Sequence, residues 1–212
     1  MVFQRLNRNV VALNSQELRQ ATYWGPFINL MNELSNMEFW SEFDIFSTND
    51  IRRMLDIEYI SELTVALLNG HQNKKAKLDT YYEIYEESFE HSGHVTKVFL
   101  KVLGELAQTL PNLGKTRWSK KTDFYTLFLF YSSYESLLPL SSDKRQEAKN
   151  LLLNFGGDLD AYVKSTNKQN FTYSPLVIEY ASSSRASTDL GSRKRRFETL
   201  ELLFKNIFIK NN

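Results

Sequence analysis

The sequence contains no cysteine, and this absence excludes three classes of protein. A disulfide scaffold, a zinc site with thiolate ligands and an enzyme with a cysteine nucleophile all need the missing side chain. Glycine and proline are also scarce, with eight glycines and four prolines among 212 residues. Their combined share is about half of the usual value of about 12%. So few turn-forming residues favour long helices joined by short connections.

Long apolar segments and an excess of one charge are missing as well. The longest strongly apolar run without a charge, residues 124–134, is much shorter than the roughly 20 residues that span a bilayer. The first residues lack the apolar core and cleavage site of a secretory signal. The net charge of +1 gives no indication of a polyanionic partner for the molecule as a whole. We therefore expect a soluble, cytoplasmic protein without a membrane partner.

Apolar residues recur at steps of three and four along most of the chain, which is typical of amphipathic helices. Asn14 and Glu17 have the spacing of a capping box at a helix start. Residues 124–131 are apolar nearly all round, so the helix that contains them should lie at the centre. The pattern predicts an all-α fold, an irregular bundle of about eight helices around a single core.

The composition also predicts how the chain is divided. We expect a helical bundle over residues 25–163, in which Gly156 and Gly157 kink or break a helix. Residues 164–212 should form a polar loop followed by a C-terminal helix on the same core. In that loop only a little extended or helical structure is expected, around residues 175–181, and the last helix should begin near Arg193.

Two stretches near the N-terminus carry more specific information. They read Phe3-Gln4-Arg5-Leu6-Asn7 and Leu13-Asn14-Ser15-Gln16-Glu17-Leu18-Arg19. Together they resemble the phrase F-x-R-L-N … L-N-x-Q-E-L-R of the family called domain of unknown function 262. Its best-known members are GmrSD-type, modification-dependent restriction proteins. Further agreement comes from Gly25-Pro26-Phe27, from Arg53-Met54 with Asp56 and Glu58, from residues 78–89, and from residues 185–189 with the basic cluster after them.

The resemblance implies what the chain is part of. Family members have an N-terminal lobe similar to ParB and sulfiredoxin, which carries a D-G-Q-Q-R motif, and then an F-x-x-x-N motif and a helical region. This sequence has no Asp-Gly-Gln-Gln-Arg and no C-terminal His-Asn-His nuclease domain. It therefore resembles the C-terminal helical part of such a protein, with residues 1–24 as a remnant of the junction to the lobe. The lobe, or an upstream-encoded protein that supplies it, is then an expected partner.

The same resemblance bears on activity and cofactors. Intact relatives resemble NTP-dependent endonucleases, for which a nucleoside triphosphate and a divalent metal are the implied cofactors. No cofactor is expected in this chain, and we expect no catalysis by the chain alone. Phe3, Arg5 and Asn7 match the F-x-x-x-N motif and would complete a nucleotide or DNA site in an intact relative. Their alternative role is local packing.

Two further groups of residues are candidates for binding. Gln16, Glu17 and Arg19 would face the lobe, although Glu17 could instead cap its own helix. A cluster of cations would contact DNA phosphates, or would form an ordinary solvated helix start; it comprises Arg185, Arg193, Lys194, Arg195 and Arg196. His91 and His94 lie three apart, but no further ligand type except Glu is near in sequence, so no metal site is predicted.

Two classes of function follow from these observations. The first is the helical region of a GmrSD-like DNA-defence protein, which supports or regulates a nucleotide- and DNA-processing lobe and contacts DNA. The alternative is a non-catalytic helical module that docks onto a partner protein, or an inert gene remnant.

Overall fold

A computed structural model describes residues 12–73, 77–166 and 173–208, and in these ranges the chain is helical without any strand. The predicted all-α fold with one compact core is confirmed. The α-helices are α1 (Ser15–Thr22), α2 (Pro26–Ser35), α3 (Glu38–Glu42), α4 (Thr48–Arg52), α5 (Leu55–Asn69), α6 (Leu78–Ile84), α7 (Ser92–Thr109), α8 (Lys121–Ser133), α9 (Ser142–Lys164), α10 (Pro175–Ser183) and α11 (Leu190–Leu203). Three 3₁₀ turns lie at Leu113–Lys115, Arg117–Ser119 and Glu135–Leu137.

Helix α8 is the centre of the fold, as its apolar character predicts. Phe124, Tyr125, Thr126 and Leu127 are all buried, and as successive residues they point to different sides of the helix. Helices α5, α7 and α11 pack against α8. Because these three helices surround α8, the side chains of α8 are held in place by contacts on several sides. None of the described helices is long and apolar enough to cross a membrane.

The expected break at Gly156 and Gly157 is wrong, because α9 runs without interruption from Ser142 to Lys164. Gly156 serves close packing instead. A Cβ atom added there would lie 3.1 Å from the indole Nε1 of Trp118, which is tighter than an ordinary van der Waals contact. Trp118 is fully buried and donates a hydrogen bond to the Leu152 carbonyl at 2.9 Å. The missing side chain therefore lets α9 approach the indole ring.

The helical structure expected around residues 175–181 of the polar segment is present, and it is slightly longer than predicted. This helix is α10, for which Ser174 provides the N-cap and Pro175 the first helical residue. Val177 and Tyr180 of α10 are buried, and the ring of Tyr180 packs against Phe155 at 5.6 Å. The last helix begins at Leu190, slightly earlier than expected. The basic cluster lies at the connection between α10 and α11, two helices that pack against each other.

Candidate functional site

The predicted basic cluster is divided by the register of α11. Arg193 and Arg196 lie three positions apart on the face that packs inward, and they are 4% and 0% exposed. Arg185, Lys194 and Arg195 are exposed. The expectation that all five cations contact DNA is therefore wrong for Arg193 and Arg196, whose side chains are covered by the core.

Arg193 connects α11 to two other helices. The guanidinium group donates to the Glu62 carboxylate of α5 at 2.6 Å, to the Tyr125 hydroxyl of α8 at 2.9 Å and to the Gln72 carbonyl at 3.2 Å. It also lies 4.1 Å from the centroid of the Tyr125 ring. Burial raises the pKa of Tyr125 to about 12, although the adjacent Arg193 charge opposes the shift. These contacts fix the start of α11 against the core.

Arg196 fixes the connection between α10 and α11. It donates to the carbonyls of Ser183 and Ser187 at 2.6 and 2.7 Å and to the Thr126 hydroxyl at 3.1 Å. Burial lowers the pKa of Arg196, against the attraction of Asp123. Asp123 forms its ion pair with Arg117 instead, at 3.0 Å. Within the described ranges, no carboxylate lies within ion-pairing distance of Arg196.

The three exposed cations remain available to solvent. Arg195 approaches the Glu179 carboxylate at 3.5 Å, but both side chains are about half exposed, so the pair is weak. Its Nε also donates to the Ser183 hydroxyl at 3.2 Å. Lys194 and Arg185 form no ion pair with another described residue. The anchored helix therefore presents Lys194 and Arg195 from a fixed backbone.

A pocket of about 200 Å³ opens where three helices begin. Leu55 is the first residue of α5, and Lys121 and Thr122 begin α8. Ser187 and Thr188 come just before Asp189, the N-cap residue of α11. The lining residues that the structure describes are Leu55, Tyr59, Glu62, Lys121, Thr122, Tyr125, Ser187, Thr188, Arg193 and Arg196. Among these described residues, the charged groups are three cations and one carboxylate. Sequence reasoning missed this site because the contributing residues are far apart in the chain.

The residues predicted to face a lobe are used inside the chain. Arg19 is buried and donates to the Glu58 carboxylate at 3.1 Å, to Asp79 at 2.6 Å and to the Gln16 amide oxygen at 3.1 Å. Gln16 is buried too, and its amide nitrogen donates to the Tyr82 hydroxyl at 2.9 Å. The expectation of a lobe interface is therefore wrong for Gln16 and Arg19, because their polar groups are paired within the core.

The alternative role of Glu17 is confirmed. Asn14 and Glu17 form the capping box of α1, in which each side chain accepts a hydrogen bond from the backbone of the other. Glu17 also forms an ion pair with Arg53 at 3.1 Å. Phe3, Arg5 and Asn7 lie outside the described residues.

The two closely spaced histidines are exposed at the start of α7. His91 occupies the N-cap position and His94 lies in the first turn. Among the described residues, no group of three or more His, Asp or Glu side chains is arranged to hold a metal ion. The described part of the structure therefore brings no third ligand to this pair.

His71 is a titratable group in a second pocket, of about 330 Å³. Its ring packs edge-on against Phe197, with 4.9 Å between the centroids, and its Nδ1 atom is buried without a hydrogen-bond partner in the described ranges. Burial, together with the charges of Arg193, Lys194 and Arg196, lowers the pKa of His71 to about 4. The folded protein therefore holds His71 in its neutral form at neutral pH.

This neutral histidine predicts a loss of stability in acid. The unfolded chain binds the His71 proton near pH 6.5 and the folded chain only near pH 4, so protonation favours unfolding between these values. The free energy of unfolding should fall by about 2–3 kcal/mol from about pH 7 to about pH 4.5 because of this group. Urea denaturation at both pH values measures the change. His71→Phe should remove this part of the pH dependence, whereas the same change at the exposed His91 should retain it; equal curves for all three proteins would contradict the assignment.

Comparison with known proteins gives no relative for the site. No protein-family model, no curated protein and no solved structure matches the chain at a significant level. The residues of the chain and their arrangement are therefore the basis for its function.

Proposed function

We propose that this chain is the helical region of a GmrSD-like, modification-dependent restriction protein, in which it supports a nucleotide- and DNA-processing lobe and contacts DNA without being catalytic alone. The observation that carries the DNA contact is the anchoring of α11. Arg193 and Arg196 hold the start of the helix in the core, while Arg185, Lys194 and Arg195 remain exposed at the same end. Such cations bind the phosphate backbone without reading sequence.

The contacts of residues 12–14 support the association with a lobe. The segment that follows F-x-R-L-N enters the helical region against Arg53, whose guanidinium donates to the Ala12 carbonyl at 3.1 Å. The Asn14 amide in turn donates to the Arg53 carbonyl at 2.8 Å. Arg53 precedes Leu55 of the pocket by two residues. A lobe attached through this segment would therefore stand close to the start of α5, which borders the pocket.

The DNA contact predicts a specific charge dependence. Replacing Arg185, Lys194 and Arg195 with Ala should abolish most binding to a short DNA duplex in fluorescence anisotropy at low salt. Each lost phosphate contact should reduce the slope of log K against log salt by about 0.9. The matched control replaces three exposed lysines elsewhere, Lys97, Lys144 and Lys205, and therefore removes the same charge.

The control variant should keep most of the affinity, because net charge alone does not direct binding. If both variants lost the same affinity for DNA, the binding would depend on net charge alone, and the proposed contact surface would be wrong. Absence of binding even at low salt would favour the alternative, a protein-docking module. One observation supports that alternative: Leu13, Leu18 and Trp24 are 60%, 52% and 74% exposed, so the beginning of the described chain presents apolar side chains to solvent.

A further inference from the structure

We propose that the pocket at the starts of α5, α8 and α11 is an anion site that takes a phosphate group. The side chains that would hold it are Lys121, Arg193 and Arg196, with the hydroxyls of Thr122, Ser187 and Thr188 at the wall. This inference goes beyond the proposed function, because Arg185, Lys194 and Arg195 do not line the pocket. It holds or fails independently of DNA contact at those residues.

The backbone contributes a positive field from two directions. The N-terminus of a helix carries N–H groups without intrahelical acceptors and the positive end of the helix dipole. No hydrogen bond from the N-cap side chain satisfies these groups in α8 or α11, whose N-cap residues are Lys120 and Asp189. In α5, by contrast, the Asp56 carboxylate accepts from the backbone N–H groups of Asp56 and Ile57. The two free ends beside one cavity favour an anion more than either does alone.

Arg196 is the independent observation that points to a ligand. It is fully buried, lines the pocket, and has only neutral oxygens as its hydrogen-bond partners in the described ranges. A guanidinium group has five N–H bonds, and three of them suffice for those partners. A buried cation without a carboxylate in contact carries a large desolvation cost. An anion in the pocket would offset that cost.

The described lining carries more cations than carboxylates. Glu62 is the only carboxylate among the lining residues that the structure describes, and it pairs with Arg193. At the rim, Asp50 pairs with Lys121, whose side chain is 39% exposed, and the Lys121 charge also attracts the Asp56 carboxylate. A bound anion would therefore compete with Asp50 and Asp56 for Lys121. A ligand with more than one negative oxygen can draw on Lys121 and Arg196 together.

A phosphate group fits this arrangement better than a carboxylate does. It carries three or four acceptor oxygens and close to two negative charges at neutral pH when it is a monoester, so it can meet cations, hydroxyls and N–H groups at once. Leu55 and Tyr59 provide an apolar wall against which the organic part of a phosphate ester would lie. The source is either a free phosphate ester or the terminal phosphate of a nucleic acid.

Isothermal titration of the 212-residue chain with inorganic phosphate, against chloride at equal ionic strength, tests the site. Lys121→Gln should lower the association constant at least about tenfold, because a charge-assisted hydrogen bond is lost. Lys120→Gln is the matched control: it is the adjacent cation, lies outside the lining and pairs with Asp160 at 3.2 Å, and it should change binding less than about twofold.

A third variant separates ligand binding from a structural role. Asp50→Asn keeps the oxygen that accepts from the Ser47 backbone but removes the charge that competes for Lys121, so phosphate should bind more tightly. A purely structural ion pair would give no such gain. If the lysine variant is less stable, Thr188→Val provides a second test, because Thr188 lines the pocket at an exposed position. This substitution should also weaken phosphate binding.

The source is distinguished with a short duplex that carries or lacks a 5′-phosphate. Competition between inorganic phosphate and the phosphorylated duplex, dependent on Lys121, would identify the end of a nucleic acid; phosphate binding without competition would identify a free ester. No heat of binding with phosphate, or equal binding by the Lys121 and Lys120 variants, would overturn the proposal. Neither result would bear on the DNA contact of the exposed cations.

Discussion

Replacing Arg193 with methionine should lower the free energy of unfolding by about 3–5 kcal/mol. The change keeps a long apolar stem but leaves the Glu62 carboxylate, which is 8% exposed, in the core without the cation that donates to it at 2.6 Å. A buried charge that loses its partner retains its desolvation cost and loses the attraction that compensated it. Urea denaturation followed by circular dichroism measures the difference.

Two controls assign this loss to the ion pair. Lys194→Met alters the neighbouring, exposed cation of the same helix and should change stability by less than about 0.5 kcal/mol. The double variant Glu62→Leu, Arg193→Met removes both charges and should recover much of the stability, because a well-packed apolar pair can replace a buried ion pair. A stable Arg193→Met protein that no longer binds DNA would restore the surface role that the structure denies to this residue.

The register of α11 shows what could have been predicted. The inward-facing residues of the last helix, Phe197, Leu200 and Phe204, follow helical spacing, and extending that spacing backwards reaches Arg193 and Arg196. Periodicity therefore predicts that Arg193 and Arg196 point inward. It does not predict that two arginines can be buried there, because their burial depends on hydrogen bonds to Glu62 and Thr126, which lie far away in sequence. The charge of the two side chains, taken alone, predicts that they are exposed.

The segment before α11 is more regular than its composition predicts, for a related reason. Its many Ser and Thr residues are typical of exposed connections, but Ser174-Pro175 is also a helix-start signal, and one side of α10 is covered by tertiary contacts of Tyr180. At Gly156, local preference predicts a break where the helix is continuous. A glycine inside a helical pattern indicates a break when only local preference is considered, whereas here it leaves space for Trp118. In both cases a distant partner decides the local structure.

The pocket could not have been found from motifs. Lys121, Ser187 and Arg196 share no recognisable spacing, and only the packing of α5, α8 and α11 brings them together. Helix starts are predictable to within a few residues, but the direction in which each helix points its N-terminus depends on the whole core. The basic cluster belongs to both faces of α11: Lys194 and Arg195 are exposed, whereas Arg193 and Arg196 line the pocket.

The second large effect is expected at Arg19. Arg19→Met should lower the free energy of unfolding by about 3–5 kcal/mol, because the Glu58 carboxylate, 5% exposed, would lose a buried cation at 3.1 Å. Although burial opposes it, the pKa of Arg19 is raised, owing to the hydrogen bonds with Asp79 and Glu58. Asp79→Asn is the control: its side chain is 74% exposed, so this variant should lose no more than about 1 kcal/mol.

These two variants also decide between the roles assigned to the Q-E-L-R segment. If Arg19 faced a separate lobe, the isolated chain would tolerate Arg19→Met, and only association with the lobe would suffer. The structure instead joins Arg19, Gln16 and Tyr82 in one buried set of hydrogen bonds that ties α1 to α5 and α6. Thermal denaturation of the isolated chain distinguishes the two cases, and an unchanged midpoint for Arg19→Met would return this residue to the interface. A large shift with Arg19→Met and a small one with Asp79→Asn would establish that the motif residue holds the first helix in place.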